Sequence, residues 1–408
     1  MKQVALAVLT AALVATPPVH ADDRRDGAVF AEKKDARYDA IKAEVRPKAE
    51  TSAKKRIWVD FSKVDAPKAV SEFTRVWHQP PVCQGLSGMC WCFSTTSFLE
   101  SEAWRLTKRE LRLSALHTVY WEHVEKAKGW VKSRGTSVYG EGSQPAAVLR
   151  ALREHGALPA EAYTGLKEGK KDHDHESTLY AEIRTYLDGV KAAGAWNEAQ
   201  VVSTVRAILD HHLGAPPETV VVDGQVLTPK EYLAKVVRLN PDDYVAFLST
   251  MDKPYWEKAE YEVPDNWWHG KEYVNVPLDA FLAAIKGAVK GGFSVAVAGD
   301  MSEPGYSIGP PGIAVVATWD IPSAYIDEAA RAFRFGNGST TDDHGLHVVG
   351  WLNRGGKEWF LVKDSWSSSW NNDHPGYYFF HEDYVKLKML AFLVHKDAVK
   401  ELLARAKP

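Results

Sequence analysis

The three cysteines of this 408-residue chain, Cys83, Cys90 and Cys92, all fall within "CQGLSGMCWCFSTTSFLESE", residues 83–102. Such a cluster can be a metal site, a disulfide framework, or one nucleophile with two bystanders. Zinc sites usually recruit two Cys or His pairs. Here Cys90 and Cys92 are too close to share a tetrahedral ion easily, and no His lies nearby. A Cys83–Cys90 or Cys83–Cys92 disulfide fits the spacing. The third reading rests on Trp91, Phe98, Leu99, Ala103 and Leu106, whose helical spacing predicts a helix beginning at Cys90. Free N–H groups and the helix dipole favour thiolate over thiol at such a position.

A nucleophilic thiol needs a base. "TDDHGLHVVGW" offers His344 and His347, which on a strand would point to opposite faces. "VKDSW" offers Asp364 at a strand end, able to orient an imidazole. Cys, His and Asp would then be nucleophile, base and orienter. "KDHDHES" (171–177) and "DHH" (210–212) also carry paired histidines, but they read better as a solvated loop and a helix end. No metal and no cofactor is expected.

These residues must be positioned by a sizeable scaffold, and the composition permits one. With 45% hydrophobic and 25% charged residues the chain is ordinary for a globular protein. A net charge of −3 with no basic concentration argues against nucleic-acid binding. "MKQVALAVLTAALVATPPVHA" has a basic start, an apolar run and a small-residue end, so residues 1–21 are expected to be a signal peptide cut after Ala21. That predicts an exported protein, periplasmic or secreted, with no membrane association after cleavage. Few and odd-numbered cysteines then argue against dependence on disulfides.

Residues 22–55 are charged and poor in large apolar side chains, which predicts a flexible or loosely helical leader. "IWVDFSKV" reads as a first strand. "EGSQPAAVLRALREHGALP" predicts a helix opened by Pro145 and closed near Gly156. From about 176 to 290 the pattern is mainly helical, with a capping box at Thr228 and Glu231 and a small hairpin turning at Asp223-Gly224. Thereafter "FSVAVAGD", "GLHVVGWL", "KEWFLVKDSW" and "GYYFFHEDY" read as strands. Helices in front and strands behind predict an α+β protein.

The motifs together resemble those of papain-like cysteine peptidases. "QGLSGMCWCFS" is similar to their active-site segment, with Gln84 six residues before Cys90 and Trp91 after it. "DHGLHVVGW" is similar to their His strand, and "VKDSWSSSW" to their Asn-Ser-Trp segment. The long separation of Cys90 from His344, with "LSALHTVYWEHVEKA", "EGSQPAAVLRALREHGALPAEAY" and "AARAFRFGNGSTTDDHG", resembles bleomycin hydrolase and related bacterial aminopeptidases. The likeness runs from about residue 70 to 400.

It implies a papain-like fold, with a helical domain carrying Cys90, an antiparallel β-rich domain carrying His344, and a helical insertion. Residues 56–408 would form this peptidase domain. It implies Cys90 as nucleophile, His344 rather than His347 as its partner, and Gln84 as oxyanion donor. Asp364 takes the place of the family's Asn, which should raise the His344 pKa. Ser87 stands where the family has a disulfide-forming Cys. Gly142 and Ser143 match the segment that binds substrate backbone, with Ser143 narrowing the approach. Trp91, Asp343 and Trp366 are further expected contacts, Trp366 also shielding the His–Asp pair from water. Cys83 and Cys92 are expected to be structural thiols, and His347 to be packed or exposed on the far strand face.

The implied activity is hydrolysis of peptide amides through a Cys90 thioester, on peptide or protein substrates, with aminopeptidase action as the family reference. The family's homo-oligomer carries over as an expectation. "KDAVKELLARAKP" stops about where the family's C-terminal arm would begin, which keeps endopeptidase action as the alternative. A catalytically silent scaffold, suggested by Asp364 and Ser367 in place of Asn and Gly, and acyl transfer by the same thioester are the further readings.

Overall fold

The computed structural model describes residues 27–32, 34–45, 55–175 and 178–407, so the expected signal peptide lies outside the described residues. The chain opens with β1 (Ala28–Glu32), α1 (Ala36–Val45), β2 (Lys55–Val59) and β3 (Thr74–Arg75). Helices α2 (Cys90–Thr107), α3 (Ala115–Lys132), α4 (Pro145–His155), α5 (Leu179–Ala193) and α6 (Glu198–Leu213) follow. A hairpin of β4 (Val220–Val222) and β5 (Gln225–Leu227) leads to the short α7 (Pro229–Tyr232). Then come β6 (Tyr244–Leu248), β7 (Lys258–Ala259), β8 (Tyr273–Asn275), α8 (Leu278–Lys290), β9 (Val295–Gly299), β10 (Ile313–Ala314) and α9 (Glu328–Gly336). The chain closes with β11 (His344–Arg354), β12 (Lys357–Lys363), β13 (Tyr377–His381), α10 (Glu382–Lys388), β14 (Met389–His395) and α11 (Lys400–Leu403).

The helices start where local chemistry satisfies their free N–H groups. Ser114 accepts from His117 N at 3.1 Å to open α3, and Asn197 accepts from Gln200 N at 3.1 Å to open α6. Caps of this kind contribute about 1 kcal/mol each. Pro145 occupies the first position of α4, and Gly156 closes it with φ +72°. The Thr228–Glu231 capping box forms, but the helix it opens is only four residues long and runs into a wider turn at Leu233–Val237.

One ten-stranded sheet runs in the order β10-β13-β12-β11-β9-β14-β6-β8-β7, with β3 added to β11. Its central pairings, β12–β11–β9–β14–β6, are antiparallel. One hydrophobic cluster gathers the inner faces of α2 to α6, including Phe98, Tyr120, Leu187 and Leu209. A second packs Phe281 and Ile285 of α8 against Leu346, Val348, Phe360 and Phe392 of the sheet. Helix α2 lies along β11, between the helical cluster and the sheet. A Cβ on Gly345 would stand 2.8 Å from Ser94 Oγ and 3.0 Å from Trp91 Cα, so glycine is what lets the strand come this close to the helix. The architecture is α+β, as the order of patterns implies. Among the described residues, no helix is long and apolar enough to cross a membrane.

Two expectations need correction. The stretch from 176 to 290 is helical at its two ends, α5 and α6 in front and α8 behind, with strands in between. Strands β6 and β8 belong to the main sheet, β6 pairing antiparallel with β14 and parallel with β8. "YVAFL" is a continuous apolar run without the alternation of a half-exposed strand, because four of its five side chains are buried. The leader, expected to be flexible or loosely helical, is helical over α1 but also forms a strand and docks on the rest of the chain where it is described. β1 pairs antiparallel with β2, and α1 docks on the chain near 367–371. The docking is polar. Asp35 is buried and accepts from Ser367 Oγ at 3.0 Å, Asn371 Nδ2 at 2.7 Å and Tyr38 N at 2.8 Å. Hydropathy alone does not reveal such a contact.

Candidate active site

The first turn of α2 begins at Cys90, with Met89 as N-cap and no side chain capping it. The thiol is half-buried. β11 begins at His344, which the close Gly345 contact lays against that turn. On one side the His344 ring faces Cys90, close enough for the thiol to favour the charged imidazole. On the other, its Nε2 is 2.6 Å from Asp364 Oδ1. Since Nε2 is taken by the carboxylate, Nδ1 is the nitrogen that faces the thiol.

Asp364 is held rigidly. Oδ1 also accepts from Trp366 N at 2.9 Å, and Oδ2 accepts from Tyr306 Oη at 3.0 Å. Burial disfavours the charged imidazole, but Asp364 and Cys90 outweigh it, and the His344 pKa lies well above its usual value. That is the consequence expected of a carboxylate in this position. The Trp366 ring meets the His344 ring edge-on, centroids 6.3 Å apart, where a water-excluding cover belongs.

Gln84 is fully buried beside this group. Its Oε1 accepts from Ser365 Oγ at 2.6 Å and its Nε2 donates to Ser87 O at 2.6 Å, which fixes the amide and leaves one N–H for a further acceptor. The loop is braced from behind by the 173–175 segment. Leu86 N donates to His173 O at 2.8 Å and His175 N donates to Leu86 O at 3.0 Å. Gly85, at φ +67°, has room for no Cβ there, since one would lie 2.4 Å from His173 O.

The other expected residues take varied places. Trp91 is buried and donates from Nε1 to Glu141 O at 3.1 Å, so it fixes the segment before Gly142 instead of lining the cleft. Gly142 lies against the Asp265 carboxylate, where a Cβ would be 2.2 Å from Oδ2. Ser143 does not narrow the approach: its side chain is buried and donates to Glu122 Oε1 at 2.7 Å. Asp343 accepts from Met301 N at 2.9 Å and Thr341 Oγ1 at 3.1 Å, and so shapes the turn into β11.

His347 does not lie on a face remote from Cys90's helix. It is fully buried, its Nδ1 is 2.9 Å from Ser97 Oγ, and its ring packs edge-on against Phe98. Burial pushes its pKa well down. The three cysteines are free, and Cys92 is buried with its Sγ 3.2 Å from Ala115 O. His173, His175 and His212 are buried too, not solvated; His212 Nε2 is 2.7 Å from Glu182.

Sequence reasoning did not find Tyr306, Ser365, Tyr38 or Asp265. Tyr306 and Asp265 sit in stretches without motif or period. Ser365 stood inside "VKDSW", and only the fold reveals its contact with Gln84.

The peptidase C1-like family model matches residues 136–407, a span that includes His344 and Asp364 and begins beyond Cys90. PepW from Lactobacillus rhamnosis has a similar structure, with a TM-score of 0.66 at 19% identity over 83% of this chain and 84% of that one. A mite allergen structure concerning Blo t 1 and Der p 1 is more distant, with a TM-score of 0.38 at 10% identity over 81% of this chain and 73% of that one. No curated protein matches the chain. The chain belongs to the peptidase C1-like family and is a papain-like cysteine peptidase.

Proposed function

We propose that the protein is an exported aminopeptidase of this family, in which Cys90, His344, Asp364 and Gln84 carry the chemistry. The observation that supports it most is the His344 ring held by Asp364 and set beside Cys90 at the N-terminus of α2. In this reading His344 holds a proton and Cys90 is thiolate. The sulfur attacks the substrate carbonyl carbon, forming a C–S bond and placing negative charge on the oxygen. Gln84 Nε2 and the Cys90 N–H receive that charge. His344 gives its proton to the amide nitrogen, the C–N bond breaks, and the amine leaves. Water then gives a proton to His344 and attacks the thioester. The C–S bond breaks, the acid leaves, and the thiolate–imidazolium pair is restored.

Asp364 keeps the ring oriented and favours its charged form, which suits a peptidase active above neutral pH. Aminopeptidase action follows the likeness of the front and insert segments to the bleomycin hydrolase group. Export follows the apolar run and small-residue end of residues 1–21.

The deciding experiment is cleavage of a panel of peptides, each supplied with a free and an acetylated amino end. Release of N-terminal residues from the free peptides alone supports the proposal. Internal cleavage of both sets would replace it with endopeptidase action. N-terminal sequencing of exported protein, with Asp22 first, tests the export half.

A further inference from the structure

The Gly142 end of the cleft carries more negative charge than its cations neutralise. Arg150 donates to Glu122 Oε2 at 2.6 Å, and Trp267 Nε1 and Ser143 Oγ donate to Glu122 Oε1 at 2.7 Å each. Glu141 accepts from Gly88 N. Buried Lys126 donates to the carbonyls of Gly140, at 2.8 Å, and Gly142. Two cations, Lys126 and Arg150, thus stand against Glu122 and Glu141. Asp265 also draws on Lys126, and Asp342 feels the charge of Asp265, so four carboxylates share two cations.

A second observation points to what is missing between them. Gln144 is 1% exposed and donates from Nε2 to Asp342 Oδ2 at 2.5 Å. The amide is oriented by that contact, since a carboxylate oxygen demands the nitrogen. Its Oε1, on the same planar group, is buried with no hydrogen-bond partner. Burying an acceptor unpaired costs about 1–3 kcal/mol, which a donor from a ligand would recover. The free acceptor and the excess of carboxylates over cations ask for one group: a cation with several N–H bonds.

Position decides which cation. Gly142 follows the Glu141 carbonyl that Trp91 holds beside Cys90. Asp342 is two residues before His344, and two residues of chain span at most about 7 Å. We infer that Asp265, Asp342 and Gln144 Oε1 seat the α-ammonium of the peptide substrate, one or two residues before the bond that Cys90 cleaves. This deepens the aminopeptidase reading and rests on it. The ammonium's three N–H bonds match the three acceptors. It also neutralises the pair: burial and the nearby Asp265 push the Asp342 pKa up to about 8, and a bound cation would hold both groups ionised.

The test uses one peptide, leucyl-alanyl-alanyl-alanine, free and N-acetylated, with the full-length enzyme and its Asp265→Asn, Asp342→Asn and Gln144→Met variants. The aspartate variants should raise KM for the free peptide tenfold or more, and so shrink its advantage in kcat/KM over the acetylated one. Gln144→Met, which keeps both carboxylates, should raise it less and supports the seat even if an aspartate variant misfolds. Iodoacetamide labelling of Cys90 at the wild-type rate shows that the nucleophile is intact. If the wild type prefers the free peptide but no variant changes that preference, the seat is wrong and the aminopeptidase reading stands. If the wild type has no such preference, that reading falls first. An N-acetylated lysyl peptide whose cleavage depends on Asp342 would overturn the α-amino assignment in favour of a side-chain ammonium. A response to calcium or EDTA that vanishes in Asp342→Asn would overturn it in favour of a metal ion.

Discussion

Ser365 and Gln84 are joined twice: Ser365 Oγ donates to Gln84 Oε1 at 2.6 Å, and Gln84 N donates to Ser365 O at 2.8 Å. The residue after Asp364 thereby fixes the amide proposed to receive the oxyanion. Orientation of His344 and orientation of Gln84 come from one stretch of backbone. Ser365→Ala removes the hydroxyl and leaves Gln84 Oε1 without its donor in a fully buried place. A lost buried hydrogen bond of this kind costs about 1–3 kcal/mol. The expected result is a fall in kcat of about ten- to a hundredfold with KM little changed, read by steady-state kinetics. A change in KM alone would mean that Gln84 acts in binding, not in the transition state.

The Asp364 carboxylate predicts a shape for the pH profile. It holds the His344 pKa up, so the imidazolium persists as pH rises and is lost only through that raised value. Asp364→Asn keeps a hydrogen-bonding group but removes the charge, so the alkaline limb of kcat/KM should move to lower pH. Activity near neutrality should remain within about tenfold, whereas His344→Ala should lose a factor of about 10² to 10⁴. An alkaline limb that stays fixed in Asp364→Asn would show that another group sets it.

His347 gives the contrasting case. It is fully buried, bonded to Ser97 and driven neutral by burial. His347→Ala should lower the melting temperature and leave the pH profile where it was. Losing this ring next to Phe98 opens a cavity, with a cost on the order of 2–4 kcal/mol. Loss of activity in a fully folded His347→Ala would exchange the roles given to the two histidines.

What could be read in the chain follows from how chemistry is written there. Gln84, Cys90, His344 and Asp364 were legible because each sits in a short motif whose neighbours have fixed duties, such as Gly345 for close approach. Trp91 was legible as a site residue, but not its duty, which depends on Glu141 some fifty positions away. Tyr306, Asp265 and Asp342's partner Gln144 meet the site only through tertiary folding, and no local period marks them. Strand β6 was hidden by its burial on both faces. The order of α1 was hidden because Asp35, Arg37 and Tyr38 make polar and ring contacts that composition scores as leader-like.

The cysteines should differ sharply in alkylation. Cys90 is half-buried and lies beside His344, whereas Cys92 is fully buried and burial pushes its thiol pKa up. Burial also raises the Cys83 pKa, although Arg37 opposes this. Iodoacetamide at neutral pH, followed by peptide mapping, should label Cys90 at least tenfold faster than Cys83 and leave Cys92 unlabelled in the folded protein. Equal and slow labelling of all three would remove Cys90 from its proposed role and favour a silent scaffold.

The docked N-terminal helix predicts an effect on substrate selectivity. Tyr38 stacks on Trp366, centroids 6.3 Å apart, and Arg37 pairs with Asp172 and interacts with Cys83, next to Gln84. Trp366 in turn meets the His344 ring edge-on, so α1 leans on a wall of the site. Asp35 is the anchor, with three donors around its carboxylate. Asp35→Ala leaves those donors facing an apolar methyl, and stability should fall by about 1–3 kcal/mol. Tyr38→Ala removes only the ring, so its effect belongs in selectivity. Substrates with bulky residues after the scissile bond should gain in kcat/KM relative to those with glycine there. Measured as a ratio across a paired peptide series, that preference separates a wall from a brace: a uniform loss across the series, with a lowered melting temperature, would make α1 a brace alone.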